Sequence, residues 1–201
     1  WLPYREAFSD TYIAPSAALP QVTYAYDPVG RPVRVTDPDG ATTSAAYDDW
    51  AVTVTDANSH RTRSTHDAHG RLTQVEEFNG TAVYPTRYAY DALDRLLRVT
   101  DAAGNVTAMT YDSLDRKLSM QDPDMGTWTY AYDAVDNLTS QTDARGVTTS
   151  FTYADPLRRL TRKAYTIPAG TAIPDPGAVT YGYDGAANPF SKGRLTSITG
   201  S

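Results

Sequence analysis

The chain has 201 residues and a mass of 21.9 kDa, enough for one or two ordinary domains with a hydrophobic core. It contains no Cys, which excludes disulfides, a thiolate nucleophile and cysteine metal clusters. Its formal net charge of -6 makes a phosphate backbone a poor partner, so no nucleic acid is expected to bind.

The charged residues are skewed in type: 21 Asp stand against 3 Glu and 15 Arg against 3 Lys, beside 28 Thr and 15 Tyr. Asp is a turn and cap residue while Thr and Tyr suit pleated surfaces, so the composition points to strands joined by turns. No apolar stretch approaches the roughly 20 residues that a bilayer-spanning helix needs, and no direct membrane insertion is expected. The sequence starts at Trp1 without an initiator Met, a basic leader or a small-residue cleavage site. That start has the look of an excised piece whose targeting signal would lie elsewhere.

Residues 1–20 carry three Pro and no periodic turn signal, and are expected to form an irregular lead-in. Residues 21–201 form an array marked by a recurring dipeptide: Tyr26-Asp27, Tyr47-Asp48, Tyr90-Asp91, Tyr111-Asp112, Tyr132-Asp133 and Tyr183-Asp184. His66-Asp67 occupies the place between the second and third, and Tyr153 follows Tyr132 with Ala154 inserted before Asp155. The step is 21 residues from Tyr90 through Tyr153, 19 and 24 on either side of His66, and 30 at the end. About eight units result.

Inside each unit a short spacer leads to Gly or Asp and then Arg: Gly30-Arg31, Gly70-Arg71, Asp94-Arg95, Asp115-Arg116 and Gly193-Arg194, with Asn137-Leu138 and Arg159-Leu160 as variants. About ten residues past the dipeptide a second turn signal follows, beginning at Asp37, Asp56, Asp101, Asp122 and Asp143. Asp at the head of such a turn bonds to the N–H groups ahead of it, and Gly accepts φ > 0. Two turns per unit leave segments of about five to seven residues, too short for stable helices, so they are expected to be strands. Leu72 and Val75, like Leu96 and Val99, are three apart and break the alternation, which requires a bulge or a strongly twisted strand. The expected fold is all-β: antiparallel hairpin repeats, about 16 strands, each unit stacking on its neighbours to complete a core. A Pro/Gly-rich stretch within 162–180 is expected to loop out between units.

Few residues offer chemistry. His60, His66 and His69 lie within ten residues of one another, but His66 stands in a Tyr position and His69 in a turn, so they read as repeat variants rather than as metal ligands. The Asp pairs match no EF-hand loop. With no Gly-x-Ser-x-Gly, no P-loop and no Gly-x-Gly-x-x-Gly, neither a catalytic residue nor a cofactor is expected. The Arg residues at equivalent places, Arg31, Arg71, Arg95, Arg116 and Arg194, suit a structural ladder in which guanidinium groups bond to Asp and stack on Tyr between adjacent units.

The units at 90–96 and 111–116, with the Thr-Asp-Ala-Ala-Gly-Asn step at 100–105, resemble the YD repeats of the Rhs family. This family includes the bacterial Rhs polymorphic toxins, the B and C components of insecticidal toxin complexes, and the teneurins. The resemblance implies a β-sheet that spirals into a shell, with a C-terminal toxin domain held inside until delivery. Its partners would be the remainder of the same shell, the enclosed toxin, and other toxin-complex or secretion-system components. The shell would be secreted or delivered from a bacterial cell. The resemblance also draws attention to Asp37-Pro38-Asp39-Gly40, which has the local spelling of the family's autoprotease motif, but its place inside an early repeat makes it a turn. A rival function is an extracellular recognition or adhesion module whose Tyr, Thr and Arg bind glycan or protein at a cell surface.

Overall fold

The computed structural model describes residues 20–185 and 190–200; the expected lead-in lies, apart from residue 20, outside them. The strands are β1 Thr23–Tyr26, β2 Pro32–Thr36, β3 Thr42–Asp48, β4 Ala51–Thr55, β5 Arg61–His66, β6 Leu72–Asn79, β7 Ala82–Tyr90 and β8 Leu96–Thr100. They continue as β9 Val106–Tyr111, β10 Lys117–Asp122, β11 Gly126–Tyr132, β12 Leu138–Thr142, β13 Thr148–Thr152, β14 Arg162–Thr166, β15 Val179–Tyr183 and β16 Leu195–Gly200. The architecture is all-β, and strand order in the sheet is chain order. The chain divides into two compact units, one ending at Tyr84 and one beginning at Pro85. Among the described residues no helix is long and apolar enough to cross a membrane.

In each unit the two faces of the sheet differ in chemistry because side chains alternate along every strand. In the second unit one set of cross-strand rows reads Tyr88, Val99, Thr107, then Met109, Met120, Trp128, then Tyr130, Gln141, Thr149, Tyr165. The opposite face reads Ala89, Arg98, Ala108, Gln121, Thr127 and Ala131, Ser140, Ser150, Ala164. The expected hydrophobic core is not what forms. Among the described residues only Ala51 and Val147 are buried apolar side chains, at 4% and 6% exposure. In a single layer, neighbours along and across the strands cover a side chain on its flanks and leave its tip open.

The spacing of Leu96 and Val99 is explained by a bulge. Tyr90 pairs with Leu96 while Ala89 pairs with Arg98, so Leu97 is an extra residue and the two apolar side chains regain one face. The same irregularity places Val33, Thr73, Leu118, Thr139 and Thr196 opposite no single partner in their ladders. The 19-residue step arises where Asp48 pairs directly with Ala51 across the two-residue link Asp49-Trp50, and β4 carries no bulge. One loop residue and one bulge residue are thereby lost. The 24-residue step contains the two longest strands, β6 and β7, of 8 and 9 residues.

The expected loop at 162–180 needs correction. Residues 162–166 form β14, paired along its length with β13, and β15 begins at Val179, so the irregular stretch is 167–178. The alternating Arg162-Lys163-Ala164-Tyr165-Thr166 run can complete a ladder, whereas Pro168, Pro174 and Pro176 lack the N–H that a ladder requires. The irregular stretch folds back rather than outward: a Cβ added to Gly146 would sit 3.1 Å from Pro168 Cγ.

Two outcomes are expected. Amides of 167–178 exchange with deuterium faster than those of β13 and β14, and equal protection across the two sets contradicts the assignment. Gly104 and Gly146 have φ of 88° and 79°, so Gly104→Val lowers stability by about 1 to 3 kcal/mol. Gly146→Val lowers it further because the new side chain meets Pro168. Chemical denaturation of the two variants tests this order, and equal midpoints refute it.

Candidate functional site

The Tyr-Asp dipeptide ends a strand and opens a three-residue turn. At Asp91 the backbone N–H donates to the carbonyl of Arg95 at 3.1 Å, and the N–H of Asp94 donates to the carbonyl of Asp91 at 3.3 Å. The carboxylate oxygen Oδ1 accepts the N–H groups of Leu93 and Arg95, while Oδ2 accepts Arg95 Nε at 2.6 Å. Asp27, Asp67 and Asp112 repeat this arrangement with Arg31, Arg71 and Arg116. The residue before each Arg lies in the left-handed region: Gly30, Gly70, Asp94 and Asp115 have φ of 85°, 79°, 63° and 65°. Gly and Asp alternate at that place because both tolerate φ > 0 and a type I turn closed by a left-handed residue suits a hairpin.

Four of the second turns share this backbone, whereas at Asp122 the ladder of β10 and β11 runs up to the pair Asp122 and Gly126, with Oδ1 accepting the N–H groups of Asp124 and Met125. Asp37, Asp56, Asp101 and Asp143 head turns closed by Gly40, Ser59, Gly104 and Gly146. The Asp37 turn, with its Gly40 at φ 88°, is the tight turn expected of that spelling. His60 takes the place of Arg in the Asp56 turn, its Nδ1 lying 3.0 Å from Oδ2, and Asn105 and Asn137 do so at Asp101 and Asp133. His69 lies within the Asp67 turn, its N–H donating to Oδ1, and His66 ends β5 opposite Leu72.

The guanidinium groups extend from one repeat to the next. Arg95 Nη1 donates to the carbonyl of Asp112 at 2.6 Å and lies 3.4 Å from the Asp115 carboxylate, with Cζ 5.6 Å from the centre of the Tyr111 ring. Arg116 repeats this with Asp133, Asp136 and Tyr132 at 2.9, 3.0 and 5.1 Å. Arg31 lies over Tyr47 at 4.2 Å. Arg159 binds both carboxylate oxygens of Asp155, reaches Asp184, and lies 4.3 Å from the Tyr183 ring centre. Its Nη1 is buried without a hydrogen-bond acceptor.

The phenols answer in the reverse direction. Tyr47, Tyr111, Tyr132, Tyr153 and Tyr183 donate to the carbonyls of Pro32, Leu96, Lys117, Leu138 and Leu160 at 2.9 to 3.0 Å. Each acceptor is the residue just after the preceding repeat's Arg or its Asn137 variant, and the first four open the bulged side of a ladder. This contact escaped the sequence reading. Its one signal is the recurrence of 15 residues between a Tyr and the start of the preceding strand.

Two signature pairs depart from the pattern. Asp48 heads no three-residue turn, because Asp48 pairs with Ala51 in the tight hairpin; its carboxylate lies 3.4 Å from Arg63 instead. The Asp184 carboxylate receives Arg159 of the preceding repeat and the N–H of Gly193, while Arg194 closes the turn through its backbone carbonyl.

These hydrogen bonds favour the ionised carboxylates. Asp27 is held below the usual range chiefly by the Arg31 N–H, Asp133 by the Asn137 amide and Asp155 by the Arg159 guanidinium. For Asp67, Asp91 and Asp112 burial is the largest single influence and pushes upward, yet the combined bonds from Arg71, Arg95 and Arg116 outweigh it. Burial pushes the Tyr132 and Tyr153 phenols up.

The RHS Repeat family model matches residues 20–43, 26–50, 47–82, 85–124 and 132–172. Among solved structures, the crystal structure of TcdB2-TccC3-Cdc42 superposes with a TM-score of 0.66 at 18% identity, covering 81% of this chain and 9% of that one. TcdB2-TccC3 without its hypervariable C-terminal region gives 0.66 at 19% identity, covering 82% and 9%. A Photorhabdus luminescens Tc holotoxin pore bearing a TccC3 mutation gives 0.66 at 19%, covering 81% and 9%. At such identities the shared property is the fold, and this chain spans 9% of those chains.

The pH dependence follows from these shifts. A carboxylate whose folded pKa is depressed adds stability above its unfolded value of about 3.9, and this is lost as pH falls through the folded value. A phenol with a raised folded pKa adds stability below about pH 10 that is lost as pH rises further. The melting temperature is therefore expected to fall below about pH 4 and again above about pH 10. Arg116→Ala lowers it at neutral pH more than Arg145→Ala, since among the described residues the Arg145 guanidinium bonds only to Asp143 within its own turn. Tyr132→Phe costs about 0.5 to 1.5 kcal/mol, the worth of one hydrogen bond. Equal melting curves for the two Arg variants contradict the inter-repeat role.

Proposed function

The chain belongs to the RHS repeat family, and from that membership we propose that it is a noncatalytic wall segment of an Rhs-type toxin shell enclosing a C-terminal toxin polypeptide until delivery. The observation that carries this reading is where the polar groups go. Arg95, Arg116 and Arg159 each bind the Asp of their own turn and the next repeat, and the Tyr phenols bond back to the preceding one. Groups that elsewhere serve recognition or catalysis are here used to join repeat to repeat. A sheet one residue thick with two chemically different faces suits a partition.

In this reading the segment turns over no substrate and has no toxicity of its own. It acts with the remaining repeats of its parent, travels from a bacterial cell within the larger toxin, and meets the other components of the delivery assembly through that parent. The resemblance in fold to TcdB2-TccC3 supports it.

Cryo-electron microscopy of the complete parent protein, with protease challenge of the intact assembly, tests the proposal. The expected result is a closed β-shell around density that proteases reach only after the shell is breached. A lumen-free sheet whose Tyr and Arg rows face solvent overturns it in favour of a recognition module.

A further inference from the structure

The 167–178 stretch and the aromatic face of the second unit enclose a cleft of about 330 Å³, within the size range of ligand pockets. Its floor is Trp128, Gln141, Thr149 and Tyr165; its far wall is Ile173, Pro174 and Pro176. The wall is held in shape locally. Thr171 Oγ1 donates to the carbonyl of Pro168 at 2.8 Å, and the Gly177 N–H donates to the Asp175 carboxylate at 2.9 Å.

The groups at this cleft differ in how far they are already engaged. Trp128 donates its indole N–H to the carbonyl of Met125 at 3.2 Å, so what it offers the cleft is its ring. Asp143 and Arg145 neutralise each other at 2.6 Å. Lys163 is left with its ammonium 5.1 Å from the Tyr165 ring centre, half-buried, and among the described residues it forms no ion pair. A half-buried cation attracts a single carboxylate more strongly than an exposed one does. The net charge of -6 opposes approach of polyanions as a class. Gln141 and Thr149 are cross-strand neighbours and present an amide and a hydroxyl beside the ring. Pro174 and Pro176 have no N–H with which to compete for a ligand's acceptors.

We propose that this cleft binds a polypeptide segment in which a carboxylate side chain sits next to a large apolar one, the carboxylate on Lys163 and the apolar group against Trp128. The occupant's identity as polypeptide rests on the shell reading above, with the face that carries this cleft turned toward the enclosed polypeptide.

The test is fluorescence anisotropy of the full chain with a fluorescein-labelled, terminally blocked Gly-Glu-Phe-Gly peptide. Controls replace Glu by Gln or Phe by Ala, and unlabelled phenylacetate serves as competitor. The expected result is saturable binding about tenfold tighter than either control. Lys163→Gln removes the preference for Glu over Gln, Lys163→Arg retains it, and Trp128→Ala removes the preference for Phe over Ala. Absence of saturable binding, or an unchanged Glu preference in Lys163→Gln, overturns the site. Phenylacetate competing as strongly as the unlabelled peptide overturns the assignment to polypeptide. A closed shell in the microscopy experiment without peptide binding rejects this site alone. Lys163-dependent binding in a parent that forms no shell upholds the site and rejects the shell reading.

Discussion

A guanidinium shared between two repeats is the constraint around which the rest is arranged. Arg95 and Arg116 each neutralise the Asp that heads their own turn and donate to the carbonyl at the head of the next, beside that repeat's Tyr ring. Charge-assisted bonds in a fixed fork set direction as well as attraction. A Lys could supply the charge but not the simultaneous geometry. The 21-residue period is the length that returns the chain to this position after two turns, two strands and one bulge.

The bulge is what reconciles turn and sheet. Without an extra residue at Leu97, Leu96 and Val99 would fall on opposite faces, and each hairpin would lose the continuity of its aromatic rows. The same irregularity sits beside the Leu96 carbonyl that accepts the Tyr111 phenol. Where the chain uses a two-residue turn instead, at Asp49-Trp50, it omits the bulge too and the spacing contracts to 19. At this hairpin turn and bulge are lost together, whereas the second turns at Asp37, Asp101 and Asp143 join ladders without a bulge, so the bulge belongs to the Tyr-Asp hairpin and not to the turn alone.

Stability in such a sheet is distributed rather than central. With almost no side chain fully withdrawn from water, each repeat depends on its neighbours in the manner of a repeat array. Lateral polar bonds, cation–π contacts and half-burial take the part that a core takes in a two-layer domain. In the second unit such a sheet keeps two distinct faces, one rich in Tyr, Met and Trp and the other in Ser, Thr and Ala.

The amino-acid sequence alone determined the repeat, the all-β class, the strand number and the position of most turns. These depend on local chemistry: Asp at a turn head, Gly or Asp where φ is positive, and Thr, Tyr and Val between them. It also brought Tyr, Asp and Arg forward as a ladder through their equivalent places, without saying which repeat each Arg would reach. Tertiary structure decided the rest. A Tyr phenol choosing a carbonyl 15 residues earlier, Asp48 leaving its turn for a tight hairpin, and residues 162–166 joining the sheet all depend on pairing with a neighbouring strand. So does the absence of a core among the described residues, since apolar content in a sequence does not reveal whether a second layer covers it. The cleft beneath 167–178 was the least legible of all: Pro and Gly mark where a ladder must stop, but the surface on which the freed chain comes to rest is set by residues distant in sequence, as Trp128 is from Pro176.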